Sequence, residues 1–66
     1  MFYCFKQGKF SVNLDRIRYF EAGRVDGGYV ISLIFESTPD KKTNIPYASE
    51  KERDADLAAF CKFING

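Results

Sequence analysis

The chain of 66 residues carries ten Lys and Arg against nine Asp and Glu, and a formal net charge of +1 does not single out a polyanion as its partner. It has no histidine, so the commonest general base and metal ligand is missing. Seven Phe and four Tyr supply large apolar side chains at a length near the lower limit for unaided folding. We therefore predict one small domain over residues 1–66.

The cysteine content and the start of the chain indicate a reducing compartment. Cys4 and Cys61 are too few for the disulfide framework of a small secreted domain. The apolar start, 1–5, is too short for a signal peptide, and no apolar run approaches the roughly 20 residues of a membrane span. We expect a cytoplasmic protein without a membrane partner.

The first two predicted strands, 2–6 and 9–13, flank a turn at Gln7-Gly8. Glycine adopts the positive φ that such a turn requires. A two-residue loop at this point places Phe5 opposite Phe10, so the large apolar residues of both strands share one face. The agreement between turn chemistry and alternation predicts a β-hairpin.

A second hairpin follows. Its predicted strands are 17–25 and 29–36. A turn at Asp26-Gly27 places Phe20 opposite Leu33, whereas a turn at Gly27-Gly28 places Phe20 opposite Phe35. Both registers keep the same apolar residues on one face. The second strand is apolar on both faces and is predicted to lie in the middle of the sheet.

The last predicted strand is 43–47, with Ile45 and Tyr47 pointing inward. Pro46 lacks a backbone donor, which predicts that this strand lies at an edge or ends there. A helix is predicted over 49–64.

The helix has a clear start and one apolar stripe. Ser49 and Glu52 fit a capping box, with Ser49 as the N-cap. The stripe at helical spacing consists of Leu57, Phe60, Cys61 and Ile64. The predicted fold is therefore α+β: an antiparallel sheet or half-barrel of four to five strands, with one C-terminal amphipathic helix packed on one face.

Two segments resemble a known layout. The string Asn13-Leu14-Asp15-Arg16-Ile17 at the end of a strand, and Ser49-Glu50-Lys51-Glu52-Arg53 at the start of a terminal helix, look like those of small bacterial and phage single-domain proteins of the sheet-plus-C-terminal-helix type. The resemblance implies this fold and no activity.

No constellation of residues indicates catalysis. Without histidine, neither thiol has an imidazole partner that would activate it. Cys61 lies on the apolar stripe and is expected to be a core residue, while Cys4 is expected to be partly exposed. The acidic residues near the helix start are expected there because they complement the helix dipole. We predict no enzyme, and no catalytic, metal, cofactor or small-molecule site.

A protein-interaction or regulatory module is the favoured function. Alternation along the strands predicts an apolar face opposite the helix, made of Phe2, Cys4, Tyr19, Val30 and Ile34. An exposed apolar patch of this size is typical of a docking surface. Either the sheet curls into a barrel and buries these residues itself, or the sequence predicts a protein partner or a second copy of the chain, which would give a homodimer.

Nucleic-acid binding is the alternative. Basic side chains near aromatic ones are typical of sheets that bind nucleic acid. The candidate contacts are Lys6, Lys9, Arg16, Arg18 and Arg24. A pI near 7.7 makes this function less favoured, because nucleic-acid-binding domains are usually distinctly basic.

Overall fold

In the computed structural model, which describes residues 1–66, five strands precede one helix. The elements are β1 (Phe2–Phe5), β2 (Phe10–Asn13), a 3₁₀ turn (Leu14–Arg16), β3 (Ile17–Val25), β4 (Gly28–Phe35), β5 (Thr43–Tyr47) and α1 (Glu50–Asn65). The chain is α+β, as predicted, and every predicted element is present within one residue of its expected bounds.

β1 and β2 form an antiparallel hairpin with the predicted register, in which Phe5 lies opposite Phe10. Its turn contains three consecutive left-handed residues, Lys6, Gln7 and Gly8, with φ of 53°, 56° and 93°. Glycine adopts this region freely, whereas Lys6 and Gln7 do so at a cost in conformational energy. Contacts outside the turn must therefore hold it.

The sheet is divided where β2 ends. The Asn13 side chain accepts a hydrogen bond from the Asp15 amide at 3.1 Å, which caps the 3₁₀ turn, and the Leu14 amide donates to the Met1 carbonyl at 2.7 Å. β1 and β2 make one two-stranded sheet, and β3, β4 and β5 make a second. The expectation of one sheet or half-barrel of four to five strands was wrong: there are two antiparallel sheets, and this turn lies between the last strand of the first and the first strand of the second.

The second hairpin has the register that follows from a turn at Asp26-Gly27. Asp26 and Gly27 have φ of 51° and 79°, as a type I′ turn requires, and Phe20 lies opposite Leu33. β4 is the central strand of the order β3-β4-β5. This confirms its predicted place in the middle of the sheet.

The helix begins as predicted. The Glu52 amide donates to the Ser49 hydroxyl at 3.1 Å, so Ser49 is the N-cap. Along the predicted stripe, Phe60 is buried, Leu57 and Cys61 are half-buried, and Ile64 is exposed. At 16 residues, α1 is not long and apolar enough to cross a membrane.

Phe60 joins the three parts of the fold. Its ring centroid lies 4.9 Å from that of Phe5 in β1, 4.8 Å from Phe20 in β3 and 5.1 Å from Tyr3. Edge-to-face and tilted aromatic pairs at such distances are favourable beyond the area that they bury. The buried cluster comprises Phe5, Ile31, Leu33, Ile45, Tyr47 and Phe60. The helix and the β1–β2 hairpin therefore pack on the same face of the three-stranded sheet, and Ile45 and Tyr47 point inward as predicted.

Arg53, near the start of α1, contacts the β3–β4 hairpin. Its side chain is only 9% exposed, donates from Nη1 to the Gly23 carbonyl at 2.9 Å, and lies over the Tyr29 ring at 5.5 Å. Nε and Nη2 both donate to one carboxylate oxygen of Asp54, at 3.0 and 2.9 Å. A buried guanidinium needs such partners, because an unpaired buried charge is strongly destabilising.

Candidate functional site

β3 is an edge strand with an unpaired side. Val25 lies opposite Gly28 across the two-residue turn, and in such a hairpin these flanking residues bond to each other. Because bonding directions alternate along a strand, the amides and carbonyls of Phe20, Ala22 and Arg24 then point away from β4. We call these outward backbone groups the β3 edge.

The opposite edge of the sheet is protected. The same alternation directs the backbone of Tyr47 and Ile45 toward β4, and that of Pro46 away from it. Proline has no amide hydrogen, so its place on the outer side of β5 removes a donor that another strand would use. The predicted edge position of Pro46 is confirmed. The β3 edge carries no proline, and most of β3 is exposed.

An apolar groove borders the first half of β3. It lies between β3, the 3₁₀ turn and the last turns of α1, and its volume is about 310 Å³. The lining residues are Leu14, Ile17, Arg18, Tyr19, Phe20, Phe60 and Ile64. Tyr19 and Ile64, at 50% and 44% exposed, form part of its open side. Large apolar groups at a site this open are typical of a surface that another molecule covers.

A β-bulge shapes the groove. Ile17 lies opposite Phe35 and Tyr19 lies opposite Ile34, which leaves Arg18 as the extra residue of β3. A bulge bends the strand and re-aims the side chains around it. Here it brings Arg18 to the groove wall as the one charged residue among six apolar ones.

Two arginines of β3 have no acidic partner. No carboxylate oxygen lies within 4.0 Å of the Arg18 or Arg24 guanidinium, although both side chains are exposed. The Arg24 guanidinium lies 5.1 Å from the Tyr29 ring centroid. Glu21, the one acid of the strand, is paired with Lys42 at 2.6 Å. The strand therefore presents positive charge that nothing within the chain neutralises.

The predicted interaction face is not one exposed patch. Val30 and Ile34 are buried, at 5% and 1% exposed, while Phe2, Cys4 and Tyr19 are exposed. Phe2 and Cys4 belong to β1 of the two-stranded sheet, and Tyr19 belongs to β3 of the three-stranded sheet. The shared face that the sequence predicted is therefore corrected: the central strand's outward residues are covered within the chain, and the division into two sheets separates the rest. Of the five, only Tyr19 lines a groove.

The five predicted basic contacts lie in three places. Lys6 and Lys9 stand in the β1–β2 turn, Arg16 ends the 3₁₀ turn, and Arg18 and Arg24 lie on β3. Of the five, Lys6 and Lys9 lie together, in a groove that Glu52 and Asp56 of the helix also line. Nucleic-acid binding stays a prediction.

A second groove lies between the β1–β2 turn and the helix. Its volume is about 420 Å³, and it is lined by Lys6, Gln7, Lys9, Tyr47, Glu52, Ala55 and Asp56. The Asp56 carboxylate accepts from the Lys6 amide at 2.9 Å and from the Tyr47 hydroxyl. Burial, and then the hydrogen bond to Asp56, raise the pKa of Tyr47 well above its ordinary value. Asp56 thus ties three elements together and holds the left-handed Lys6 in place.

The structure has no arrangement suited to metal binding: no three His, Cys, Asp or Glu residues converge. Cys4 is exposed and Cys61 is half-buried, and neither is in a disulfide. The Asp56 and Arg53 contacts were missed from the sequence, because acidic and basic residues near a helix start usually face solvent. The β3 edge was missed because the sequence pattern indicated an edge position for β5 alone.

Comparison with protein-family models, with curated proteins and with solved structures finds no match to this chain. The resemblance to small bacterial and phage proteins of the sheet-plus-helix type stays a prediction.

Proposed function

We propose that the chain is a non-enzymatic protein-interaction module that binds an extended segment of polypeptide along the β3 edge. The observation that carries the proposal is the position of the apolar groove directly beside this edge. Backbone hydrogen bonds along an edge strand provide affinity, and a neighbouring pocket for alternate side chains provides selectivity.

The unpaired backbone of β3 supports the first half of this proposal. β3 has nine residues, and its outward amides and carbonyls form a row of donors and acceptors at the spacing of an added strand. Natural proteins protect such an edge with a proline, a short strand, charged side chains, a β-bulge or a covering element. Here Pro46 blocks the β5 edge, whereas the bulge of β3 lies at Arg18 and the stretch from Phe20 to Arg24 has neither a proline nor a covering strand.

The groove supports the second half. A side chain that projects from the added strand beside Phe20 would enter the space bounded by Phe60 and Ile64. Burying one Leu- or Phe-sized side chain there would contribute about 1.5–3 kcal/mol. That contribution would select segments with a large apolar residue at this position.

A second copy of the chain is one polypeptide that has an extended strand with free backbone donors and acceptors, namely its own β3. A two-fold axis at Ala22 would pair β3 with β3 of another molecule and give a homodimer with an isologous interface. Sedimentation velocity at micromolar concentration reports this case. A dimer of the unmodified chain that Ala22→Pro converts to a monomer is the expected result for self-pairing.

The proposal is tested by selecting binders from a displayed library of random peptides. Selected peptides are expected to perturb the NMR signals of β3 and of the groove. Ala22→Pro removes one outward amide that makes no bond to β4, and it should abolish binding, whereas the matched Ala22→Ser, which keeps the amide, should bind normally. N-methylated versions of the selected peptides provide the same test without changing the protein. Binders that map elsewhere, or that ignore both changes, would contradict the proposal.

The nucleic-acid alternative has its own probe. Fluorescence anisotropy with a single-stranded oligonucleotide at low salt measures it directly, because phosphate binding weakens steeply as salt rises. Binding that is lost in Arg18→Gln and Arg24→Gln, and absent for peptides, would favour the alternative.

A further inference from the structure

We infer that the segment bound by β3 is acidic: an extended strand with an apolar residue at the groove and carboxylates placed to meet Arg18 and Arg24. This inference rests on the proposed function and specifies the chemistry of the partner. It is carried by the charge of the site, since both arginines are exposed beside the open edge and neither has a carboxylate partner in the chain.

The pattern of β3 defines what would lie opposite it. In an antiparallel pair, directly opposite residues share a face, and Phe20, Ala22 and Arg24 alternate on one face of β3. The partner residue opposite Arg24 is therefore adjacent to its guanidinium, while those opposite Ala22 and Phe20 meet apolar groups. Opposite charges at such positions are favourable and like charges are unfavourable.

The groove repeats the same chemistry at the other end of the site. Six apolar residues and Arg18 line it. A ligand group that fills it needs an apolar body with a carboxylate close by, because an arginine left unpaired under a bound strand would lose water without gaining a partner.

β3 of a second copy does not supply the carboxylate opposite Arg24. Its one acid, Glu21, lies on the opposite face from Arg24 and is already paired with Lys42 at 2.6 Å. Two-fold pairing of β3 with itself keeps faces together, so Glu21 of one copy never lies opposite Arg24 of the other. The charge pattern therefore favours a different, acidic polypeptide as the occupant.

The test uses a labelled peptide, acetyl-Glu-Thr-Val-Thr-Phe-Thr-Glu-amide, and its counterpart with Lys in place of both Glu. Fluorescence polarisation measures binding of each to the full chain. The Glu-ended peptide should bind roughly tenfold more tightly than the Lys-ended one, as expected when attraction at two exposed ion pairs is replaced by repulsion. Arg24→Glu combined with Arg18→Glu should reverse this order, and Arg24→Gln should reduce the difference.

Lys51→Glu is the matched control, because Lys51 is exposed on the helix and has no ion pair. This substitution changes the net charge by the same amount as either Arg→Glu substitution alone. It should leave the order of the peptides unchanged. Equal affinities of the two peptides for the unmodified chain, or no binding by the Glu-ended one, would overturn the inference. N-methylation of the valine amide separates the two proposals. If the two peptides bind equally and N-methylation abolishes their binding, the β3 edge is still the binding site and only the acidic partner is contradicted. If they bind equally and N-methylation has no effect, both proposals are contradicted.

Discussion

Val25 lies opposite Gly28 across the Asp26-Gly27 turn, and this pair determines which way the backbone of β3 faces. Because hydrogen-bonding directions alternate from the turn onward, every second residue of β3 is bonded to β4 and the others face outward. A shift of the turn by one residue would exchange the two sets. Which residues of β3 face outward is thus a direct consequence of a type I′ turn at an Asp-Gly pair.

Phe60→Ala is expected to destabilise the fold by about 3–5 kcal/mol, because the ring is buried and contacts three other aromatic rings. Urea denaturation measures the loss. Phe63→Ala is the control, since Phe63 is 45% exposed and should cost about 1 kcal/mol. Equal losses for the two variants would show that Phe60 is not the centre of the core.

Asp56→Ala is expected to lower the free energy of unfolding by about 1–3 kcal/mol, because it leaves the Lys6 amide and the Tyr47 hydroxyl without their acceptor. Asp40→Ala, in an exposed loop without a hydrogen-bonded side chain, should have little effect. Chemical denaturation compares them. Equal stability of the Asp56 variant and the unmodified chain would mean that the carboxylate does not hold the three elements together.

Alkaline pH is expected to destabilise the protein through Tyr47. Burial and the Asp56 hydrogen bond raise the pKa of Tyr47 in the folded state, so the unfolded chain loses this proton first. The stabilisation is complete below the ordinary tyrosine pKa of about 10 and falls as the pH rises above it. Burial raises the pKa of Tyr3 as well, so Tyr47→Phe should reduce the dependence without removing it.

Urea midpoints at about pH 8 and about pH 11 measure this effect. A stability that is constant or increases over this interval would contradict the assignment. A Tyr47→Phe variant whose stability keeps the full dependence on pH would show that another group causes it.

The two thiols are expected to differ in access. Cys4 is exposed and should react with a thiol reagent in the native protein, whereas half-buried Cys61 should react more slowly until denaturant is added. Single-cysteine variants, Cys4→Ser and Cys61→Ser, separate the two rates. A Cys61 that reacts as fast as Cys4 in the native state would place the last turns of α1 away from the sheet.

Local features of the sequence were sufficient to predict both hairpins and the helix. The register of the first hairpin follows from Gln7-Gly8, and the start of the helix from Ser49, because turns and caps depend on a few neighbouring residues. The second register was open between two turns until the structure showed Asp26-Gly27. In each case the apolar alternation agreed with the turn.

The features that were not predicted depend on distant parts of the chain. The division into two sheets involves a bond from Leu14 to Met1, and the burial of Arg53 requires the Gly23 carbonyl, 30 residues earlier. Val30 and Ile34 were expected on an exposed face, yet neighbouring parts of the chain cover them. The open edge of β3 exists because the sheet is divided, so no local pattern indicated it.

Hydrogen exchange at the amides of Phe20, Ala22 and Arg24, followed by NMR with and without a peptide selected from the library, tests the β3 edge most directly. In the free protein these amides should exchange much faster than those of Glu21 and Gly23, which face β4, and bound peptide should slow them selectively. Protection of all five amides in the free protein, or no change at Phe20, Ala22 and Arg24 on peptide binding, would contradict the account.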